Sequence, residues 1–227
     1  INTCFKEQDV VLLHGVTASG KTEIYIKLIE QQLSSNKQVL FMLPEIALTT
    51  QLISRLQFYF GEKIGVYHSK YSVNERVELW NNVLQNKAKA QIIIGARSSL
   101  FLPFSNLGLI IVDEAHELFT QIVNYENKNG PKLYEMIMHA NDIHLIFGSG
   151  TPIIKDPFEL VPCVNMLTGK NTLPTAYDDF MSLFVRDPNL MSDVALDEVE
   201  TEFQTEESKI KNKNNLLIKN AKVRHLV

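Results

Sequence analysis

Eight consecutive residues carry the clearest chemistry in this sequence: residues 15–22 form a glycine-rich stretch that ends in a lysine and a hydroxyl. Two glycines, Gly15 and Gly20, let the backbone turn tightly, so that successive N–H groups converge on an anion. Lys21 supplies a positive charge for phosphate oxygens, and the Thr22 hydroxyl suits Mg²⁺. The spacing therefore predicts a loop that binds the phosphates of ATP. Its residues are Gly15, Val16, Thr17, Ala18, Ser19, Gly20, Lys21 and Thr22.

An acidic box stands much later in the chain, where Asp113-Glu114-Ala115-His116 follows the apolar run at residues 109–112. Ligands of open α/β sheets bind at the carboxyl ends of strands. We expect Asp113 to hold Mg²⁺, directly or through water, and Glu114 to polarise the attacking water. His116 is then placed to sense the γ-phosphate or to relay its loss. A solvated acidic loop is the alternative, but the box and the glycine-rich loop together describe both halves of an ATP·Mg²⁺ site.

Both motifs need a parallel sheet to position them. An apolar run at residues 10–13 precedes the glycine-rich loop and a helical pattern at residues 23–30 follows it, in the order strand, loop, helix. The remaining pattern predicts strands at 38–44, 64–68, 91–95, 109–112 and 144–148, and helices at 49–60, 72–85 and 131–139. This alternation predicts an α/β fold, a three-layer RecA-like P-loop NTPase domain with a mainly parallel sheet.

Composition sets wider limits on the class of protein. The chain has 227 residues, of which 45% are hydrophobic, enough for a substantial core. Its net charge of −4 gives no overall basic signature, so that any contact with nucleic acid must be local. Two cysteines, Cys4 and Cys163, provide neither a disulfide framework nor a four-cysteine zinc site. Without a membrane-length apolar run or a signal peptide, we expect a cytoplasmic protein with no membrane partner.

The charge pattern changes towards the carboxyl end. Eight acidic residues lie between Asp187 and Glu207, and six basic residues without an acidic one lie between Lys209 and Arg224. Segregated charge of this kind is typical of a solvated tail, although a basic arm for nucleic acid is the alternative. We therefore expect a RecA-like ATP-binding domain at residues 1–170 and a charged, partly disordered extension at residues 171–227.

The first half of the chain resembles one helicase family in detail. The shared motifs lie at residues 14–25, 43–51, 68–69, 75–76, 80, 94–104 and 106–116. Over about residues 5–117 the sequence resembles the first motor domain of the PriA family of primosomal replication-restart helicases, which belong to superfamily 2. The resemblance implies ATP-driven DNA unwinding in replication restart. It also implies single-stranded or forked DNA and replication-restart proteins as partners.

Beyond about residue 117 the resemblance changes. Ala115 stands where the PriA family usually has Glu, and Gly150 stands where it would have Ala. Residues 129–137 and 153–167 look more like Swi/Snf-type translocases and large-DNA-virus helicases. Both relatives are superfamily 2 motors, so the resemblance still implies an ATPase. It also implies that Ser149, Gly150 and Thr151 couple the nucleotide state to movement.

A superfamily 2 motor closes its ATP site with a second RecA-like domain that bears arginine fingers. No Gln-x-x-Gly-Arg-x-Gly-Arg-like stretch follows Thr151. We therefore expect one lobe of a motor, with a second RecA-like domain supplied in cis or in trans. Alone, the chain should hydrolyse ATP weakly or not at all.

Two short segments are candidates for contact with DNA. Arg97, Ser98 and Ser99 follow an apolar strand, and Thr49 and Thr50 stand at the start of a predicted helix. Guanidinium, hydroxyl and backbone N–H groups suit a phosphate chain. The structural alternative is that Arg97 pairs with a carboxylate of the core and the serines cap a turn.

Three functions remain open at the level of the sequence. The first is the nucleotide-binding lobe of a DNA helicase. The second is a lobe of a Swi/Snf-like or viral double-strand DNA translocase. The third is a non-catalytic, nucleotide-dependent interaction module in which the tail is the working part.

Overall fold

The computed structural model describes residues 1–16, 19–44, 50–67, 71–124, 129–140 and 142–185. Strands and helices alternate along these ranges, as the pattern predicts. The strands are β1 (Val10–His14), β2 (Gln38–Met42), β3 (Ile64–Tyr67), β4 (Ile92–Gly95), β5 (Leu107–Asp113) and β6 (His144–Ser149). The helices are α1 (Lys21–Ser34), α2 (Thr50–Phe60), α3 (Val73–Leu84), α4 (His116–Val123), α5 (Asn129–Met138), α6 (Leu160–Thr168) and α7 (Tyr177–Phe184).

The strands form one sheet in the order β1-β6-β5-β2-β4-β3, and every adjacent pair is parallel. Nearly all residues of β2, β4 and β5 are buried, because a parallel sheet is covered on both faces and its strands read as continuous apolar runs. The predicted α/β fold is therefore confirmed. β1, β5 and β6 end side by side, which brings both sequence motifs to one edge of the sheet.

Each face of the sheet has its own hydrophobic core. In β2, Val39 and Phe41 pack with the buried face of α1 and with Leu56 of α2. The alternate residues, Leu40 and Met42, pack on the other face, where α3, α4 and α6 contribute buried side chains. Successive side chains of a strand point to opposite faces, so β2 serves both cores and gives the domain its three layers.

Two helix boundaries follow local sequence signals. Ser72 begins α3 through a capping box, in which its hydroxyl accepts from the Glu75 N–H and its own N–H donates to the Glu75 carboxylate. Gly61 follows the last residue of α2 with φ of 58°, a left-handed conformation that favours glycine.

The carboxyl-terminal part of the described chain packs on the domain. Phe180 of α7 is buried against Phe158 and Val161. The Asn165 side chain accepts from the Leu173 N–H and donates to the Leu173 carbonyl. The predicted boundary at residue 170 thus falls between two helices of packed structure, and residues 171–185 contact the body of the domain. Most of the charged extension, residues 186–227, lies outside the described residues.

No helix within the described ranges is long and apolar enough to cross a membrane. The longest of them, α1, has 14 residues. A transmembrane helix needs about 20 predominantly apolar residues.

Candidate nucleotide site

The glycine-rich loop connects β1 to α1, in the order that the motif requires. Gly20 precedes the helix with φ of 87°, a left-handed conformation that most side chains disfavour. The ammonium Nζ of Lys21 folds back over the loop, 2.6 Å from the Gly15 carbonyl oxygen and 3.3 Å from that of Val16. The Lys21 side chain therefore lies over the loop in which it is predicted to bind phosphate oxygens. Thr17 and Ala18 lie outside the described residues.

The loop is tightly enclosed at its start. A Cβ atom at Gly15 would lie 2.7 Å from the Ser19 hydroxyl oxygen, closer than real Cβ contacts allow. The Gly15 N–H donates to the Ser149 carbonyl at 3.1 Å, which continues the pairing of β1 with β6. A Cβ at Gly150 would lie 3.3 Å from the Gly15 carbonyl oxygen. The segment after β6 therefore lies against the phosphate-binding loop, where only a small residue fits well.

The acidic box lies at the carboxyl end of β5. Asp113 is the last residue of that strand and pairs in register with Gly148 of β6. Glu114 follows with φ of 51°, which is unusual for a residue other than glycine. The Ala115 N–H donates to the Gly148 carbonyl at 2.9 Å and so holds the turn against β6. This turn sets the direction of the Glu114 side chain before α4 begins at His116.

Asp113 has a hydroxyl partner that sequence reasoning missed. The Tyr25 hydroxyl donates to Asp113 Oδ1 at 2.9 Å, and the Tyr25 side chain is only 1% exposed. Burial, and then the Asp113 charge, raise the pKa of Tyr25 well above its usual range. The sequence does give one signal for this contact: Tyr25 lies one helical turn after Lys21 and therefore on the same face of α1.

His116 joins the acidic box to the predicted coupling residues. Its Nδ1 lies 3.1 Å from the Ser149 hydroxyl and 3.4 Å from Glu114 Oε2. The same hydroxyl accepts from the Thr151 N–H at 3.2 Å. Ser149 is fully buried. The structure therefore brings together one predicted catalytic pair and two of the three predicted coupling residues, with Gly150 between them.

A buried carboxylate that sequence analysis did not identify organises the segment after Thr151. Glu159 is 1% exposed and accepts from the Thr120 hydroxyl and the Ile154 N–H, both at 2.8 Å. Burial alone would raise the pKa of Glu159, but these donors and the Lys155 N–H outweigh it and lower the pKa. The Thr120 hydroxyl lies 2.9 Å from the His116 carbonyl oxygen. Glu159 thus ties the loop after β6 to α4.

The candidate DNA loop follows β4 at the same edge of the sheet. Arg97 and Ser98 are exposed, and Arg97 lines a small cleft with Pro44, Asp113 and Glu114. Ser99 is fully buried, and its hydroxyl donates to the Ala96 carbonyl.

The buried Ser99 hydroxyl fits the structural alternative, a capped turn, rather than the predicted contact with DNA. The two threonines predicted with it are less informative. Thr49 lies outside the described residues, and Thr50 begins α2.

The donors at this edge fit Mg²⁺ chemistry. Among the described residues, no cluster of three or more His, Cys, Asp or Glu side chains forms a dedicated metal cage. Mg²⁺ at nucleotide sites needs none, because it keeps several waters and binds through one or two protein oxygens and the phosphates. Thr22 at the start of α1 and Asp113 at the end of β5 supply oxygens of that kind.

The sequence model of the DEAD/DEAH box helicase family matches residues 1–160. That match covers more than two thirds of the chain, which therefore belongs to the DEAD/DEAH box helicase family. The chain is 38% identical over 154 residues to the replication restart protein PriA of Bacillus subtilis, covering 66% of this chain and 18% of that protein. It is 42% identical over 146 residues to PriA of Synechocystis, covering 64% of this chain and 17% of that protein.

The predicted resemblance to the PriA family is thus confirmed, and the aligned stretches are longer than residues 5–117. The chain spans about a fifth of the length of the curated relatives it matches.

Solved structures share the fold at lower sequence identity. The SWI2/SNF2 ATPase core of Sulfolobus solfataricus, solved in complex with double-stranded DNA, matches with a TM-score of 0.51 and 15% identity, over 88% of this chain and 39% of that one. A hypothetical ATP-dependent RNA helicase from Sulfolobus tokodaii matches with a TM-score of 0.51 and 18% identity, over 75% of this chain and 49% of that one. These similarities confirm the RecA-like fold.

Proposed function

We propose that this chain is the ATP-binding and ATP-hydrolysing lobe of a superfamily 2 DNA helicase of the PriA type. The observation that carries the proposal is the meeting of three segments at one edge of the sheet. The glycine-rich loop and the acidic box both contact the end of β6, through the Gly15–Ser149, Ala115–Gly148 and His116–Ser149 hydrogen bonds. An edge of this kind can bind a nucleotide, and it can couple the change from ATP to ADP to the segment at residues 149–151.

In this proposal, the backbone N–H groups of the loop and the amino end of α1 bind the phosphates of ATP. Lys21 leaves the carbonyl oxygens of Gly15 and Val16, which it now contacts, and moves to the β- and γ-phosphates. Thr22 and Asp113 are the residues that would hold Mg²⁺, which neutralises charge on the phosphates. Thr17, Ala18 and Ser19 are assigned to the same phosphate-binding loop as part of the proposal.

Hydrolysis is assigned to the acidic box. Glu114 orients and polarises the attacking water, and its unusual backbone conformation sets the carboxylate beyond the strand end. His116 relays loss of the γ-phosphate to Ser149, Gly150 and Thr151 through its contact with the Ser149 hydroxyl. A second RecA-like domain, in cis or in trans, supplies the arginine that speeds phosphoryl transfer by roughly 10³–10⁵.

DNA is the proposed track of the motor, in single-stranded or forked form. Arg97 and Ser98 lie beyond the carboxyl end of β4 and offer a guanidinium and a hydroxyl to phosphate oxygens. Thr49 and Thr50 are proposed as further donors to the phosphate chain. The named relatives are replication restart proteins, and we extend that role, with its partner proteins, to this chain as part of the proposal.

A double-strand DNA translocase lobe of the Swi/Snf type is the second candidate. The Gly-Thr-Pro segment at residues 150–152 favours it, since Gly150 leaves the space against Gly15 that an alanine would fill. A strand-separation assay and a triplex-displacement assay on the chain joined to its second lobe would distinguish unwinding from translocation.

Calorimetry tests the nucleotide site directly. Lys21→Ala should weaken binding of ATP·Mg²⁺ strongly, because the phosphates lose the lysine of the loop. Lys27→Ala is the matched control, since Lys27 lies exposed on the same helix. Equal affinity of the parent chain and Lys21→Ala would contradict the site assignment. Binding without measurable DNA-stimulated turnover in the chain joined to its second lobe would instead favour a non-catalytic, nucleotide-dependent interaction module.

A further inference from the structure

The buried side chain of Tyr25 links the two halves of the proposed nucleotide site, the phosphate-binding loop with its helix and the acidic box. It lies on α1, one turn after Lys21, and its ring packs edge-on against Phe41 of β2 with centroids 5.4 Å apart. Only 1% of the residue is exposed. The ring therefore sits between the helix that follows the phosphate-binding loop and the sheet that carries the acidic box. Its hydroxyl is the one polar group on that ring, and it reaches Asp113 Oδ1 at 2.9 Å.

The neighbouring strand is shaped to leave room for this hydroxyl. Gly148 pairs in register with Asp113. A Cβ atom at Gly148 would overlap the Tyr25 hydroxyl oxygen and would come within 3.1 Å of Asp113 Oδ1. No left-handed backbone requires glycine at this position, since the positive-φ glycines are Gly20, Gly61 and Gly169 in the described part of the chain. The space that Gly148 leaves is filled by the phenolic oxygen.

The direction of the hydrogen bond is fixed by chemistry. A tyrosine hydroxyl is protonated at neutral pH, because the ordinary pKa of a phenol is about 10. The O–H therefore donates, and the carboxylate accepts through Oδ1. A carboxylate held by one oxygen has a fixed orientation, and its other oxygen is then the one that can serve Mg²⁺ or a water of its shell. Partners of this kind orient metal ligands and tune their basicity.

We propose that Tyr25 is a positioning residue, whose hydroxyl orients the Asp113 carboxylate for Mg²⁺ while Gly148 leaves the space for that hydroxyl. This inference rests on the proposed nucleotide site and adds to it a residue outside both sequence motifs. It also gives Gly148 a role that is steric rather than conformational. Loss of the Tyr25 hydroxyl should therefore weaken the binding of Mg²⁺ more than it weakens the binding of the nucleotide.

Calorimetry on the full 227-residue chain separates these two effects. ADP affinity is measured in EDTA and then over a series of Mg²⁺ concentrations, for the parent chain and for Tyr25→Phe. We expect unchanged ADP affinity in EDTA and about a tenfold higher Mg²⁺ requirement in Tyr25→Phe, the lower end of the range for partners of metal ligands. The matched control is Tyr134→Phe on α5. It removes a tyrosine hydroxyl that donates to Asn171 at 2.9 Å, the same distance as in the Tyr25–Asp113 hydrogen bond. The control should keep the parent requirement for Mg²⁺.

Gly148→Ala provides the second arm of the test. The added methyl should push the hydroxyl off Asp113 and raise the Mg²⁺ requirement as Tyr25→Phe does. In the double variant the oxygen is gone and the nearest ring atom, Cζ, is 3.1 Å from the new Cβ, so the two effects should not add. Should Tyr25→Phe fail to fold, the Mg²⁺ titration of Gly148→Ala decides the question in the same way.

Three results would overturn the proposal. The first is an unchanged Mg²⁺ requirement in both single variants. The second is an equal loss of ADP affinity with and without Mg²⁺, which would mark Tyr25 as a structural residue only. The third is full additivity of the two substitutions. A parent chain that binds no nucleotide would instead contradict the proposed function, and the two failures are therefore distinguishable.

Discussion

His116 Nδ1 and the Ser149 hydroxyl oxygen lie 3.1 Å apart, although they belong to different motifs. His116 begins α4 after the acidic box, and Ser149 ends β6. On one side His116 lies 3.4 Å from the Glu114 carboxylate, and on the other the Ser149 hydroxyl accepts from the Thr151 N–H. A chain of polar contacts therefore runs from the residue proposed to polarise water to the segment proposed to couple hydrolysis to movement.

Ser149→Ala should separate hydrolysis from its stimulation by DNA. The hydroxyl is fully buried and bridges His116 to the Thr151 N–H, so its loss breaks the path without touching the loop that binds phosphates. ATP affinity should stay at the parent value, while the ratio of turnover with DNA to turnover without DNA should fall towards one. Ser34→Ala, at the exposed end of α1, is the control. An unchanged ratio would show that coupling takes another route.

Glu114→Gln should retain ATP binding and lose turnover. The amide of Gln has nearly the same shape as the carboxylate of Glu. Gln can occupy the same positive-φ backbone position as Glu114, so the fold should tolerate the change. The amide cannot accept a proton, and general-base catalysis contributes typically 10²–10⁴-fold. We expect a loss of at least about 10² in steady-state turnover of the chain joined to its second lobe, measured by phosphate release at saturating ATP. Glu117→Gln, exposed on α4, is the matched control, and equal turnover in the two variants would contradict the assignment of the base.

The strands and the two main motifs could be predicted because their signals are local. Residues 10–13 and 92–95 are unbroken apolar runs, and the glycine-rich loop and acidic box carry their chemistry in consecutive residues. The contact between Tyr25 and Asp113 joins residues 88 positions apart. Its geometry depends on how far β5 and α1 approach each other, which neither sequence segment reveals alone.

The helices after β6 were harder to predict for a related reason. Leu160–Thr168 is buried at five of its nine positions and contains Pro162 in its first turn, so it lacks a clear polar face and carries a residue typical of breaks. Glu159 precedes it as a charged residue that would ordinarily be placed on the surface. It is buried because the Thr120 hydroxyl and the Ile154 and Lys155 N–H groups donate to it. These partners become neighbours only in the folded chain.

Glu159→Gln should lower stability near neutral pH and change how stability depends on acid. The folded-state pKa of Glu159 is below its usual value, because its hydrogen-bond donors outweigh the effect of burial. Its contribution is therefore fully present above the unfolded pKa, about 4.3, and is lost as pH falls through the folded pKa. We expect a loss of about 1–3 kcal/mol at pH 7, as for hydrogen bonds to a buried charged group.

Urea unfolding at pH 7 and at pH 3.5 measures the difference in the free energy of unfolding between the parent and Glu159→Gln. The gap in stability between the parent and Glu159→Gln should narrow at the lower pH, because the unfolded carboxyl group is then largely protonated and the stabilising contribution of the charge is being lost. Glu135→Gln, an exposed residue on α5, should unfold like the parent at both pH values. A gap that widens as pH falls would mean that the charge of Glu159 destabilises the fold.

Arg97→Ala should weaken binding of single-stranded DNA uniformly across sequences. Arg97 is exposed at the carboxyl end of β4 and lines a cleft with Asp113 and Glu114, which places its positive charge at the same edge as the nucleotide site. A phosphate contact carries no sequence information and releases counterions, so the slope of log affinity against log salt should fall by about one unit.

The control for Arg97→Ala removes one positive charge from the opposite edge of the sheet. Lys89 is exposed in the short 3₁₀ segment Ala88–Ala90, before the amino end of β4. Lys89→Ala should therefore keep the parent salt slope, measured by fluorescence anisotropy of a labelled oligonucleotide from 50 to about 200 mM salt. ATP affinity should be unchanged in both variants, because neither residue belongs to the phosphate-binding loop of the proposed site. A slope that falls equally in both variants would mean that only net charge matters. A parent slope in Arg97→Ala would place the DNA path away from the loop that follows β4 and would leave Arg97 with a structural role.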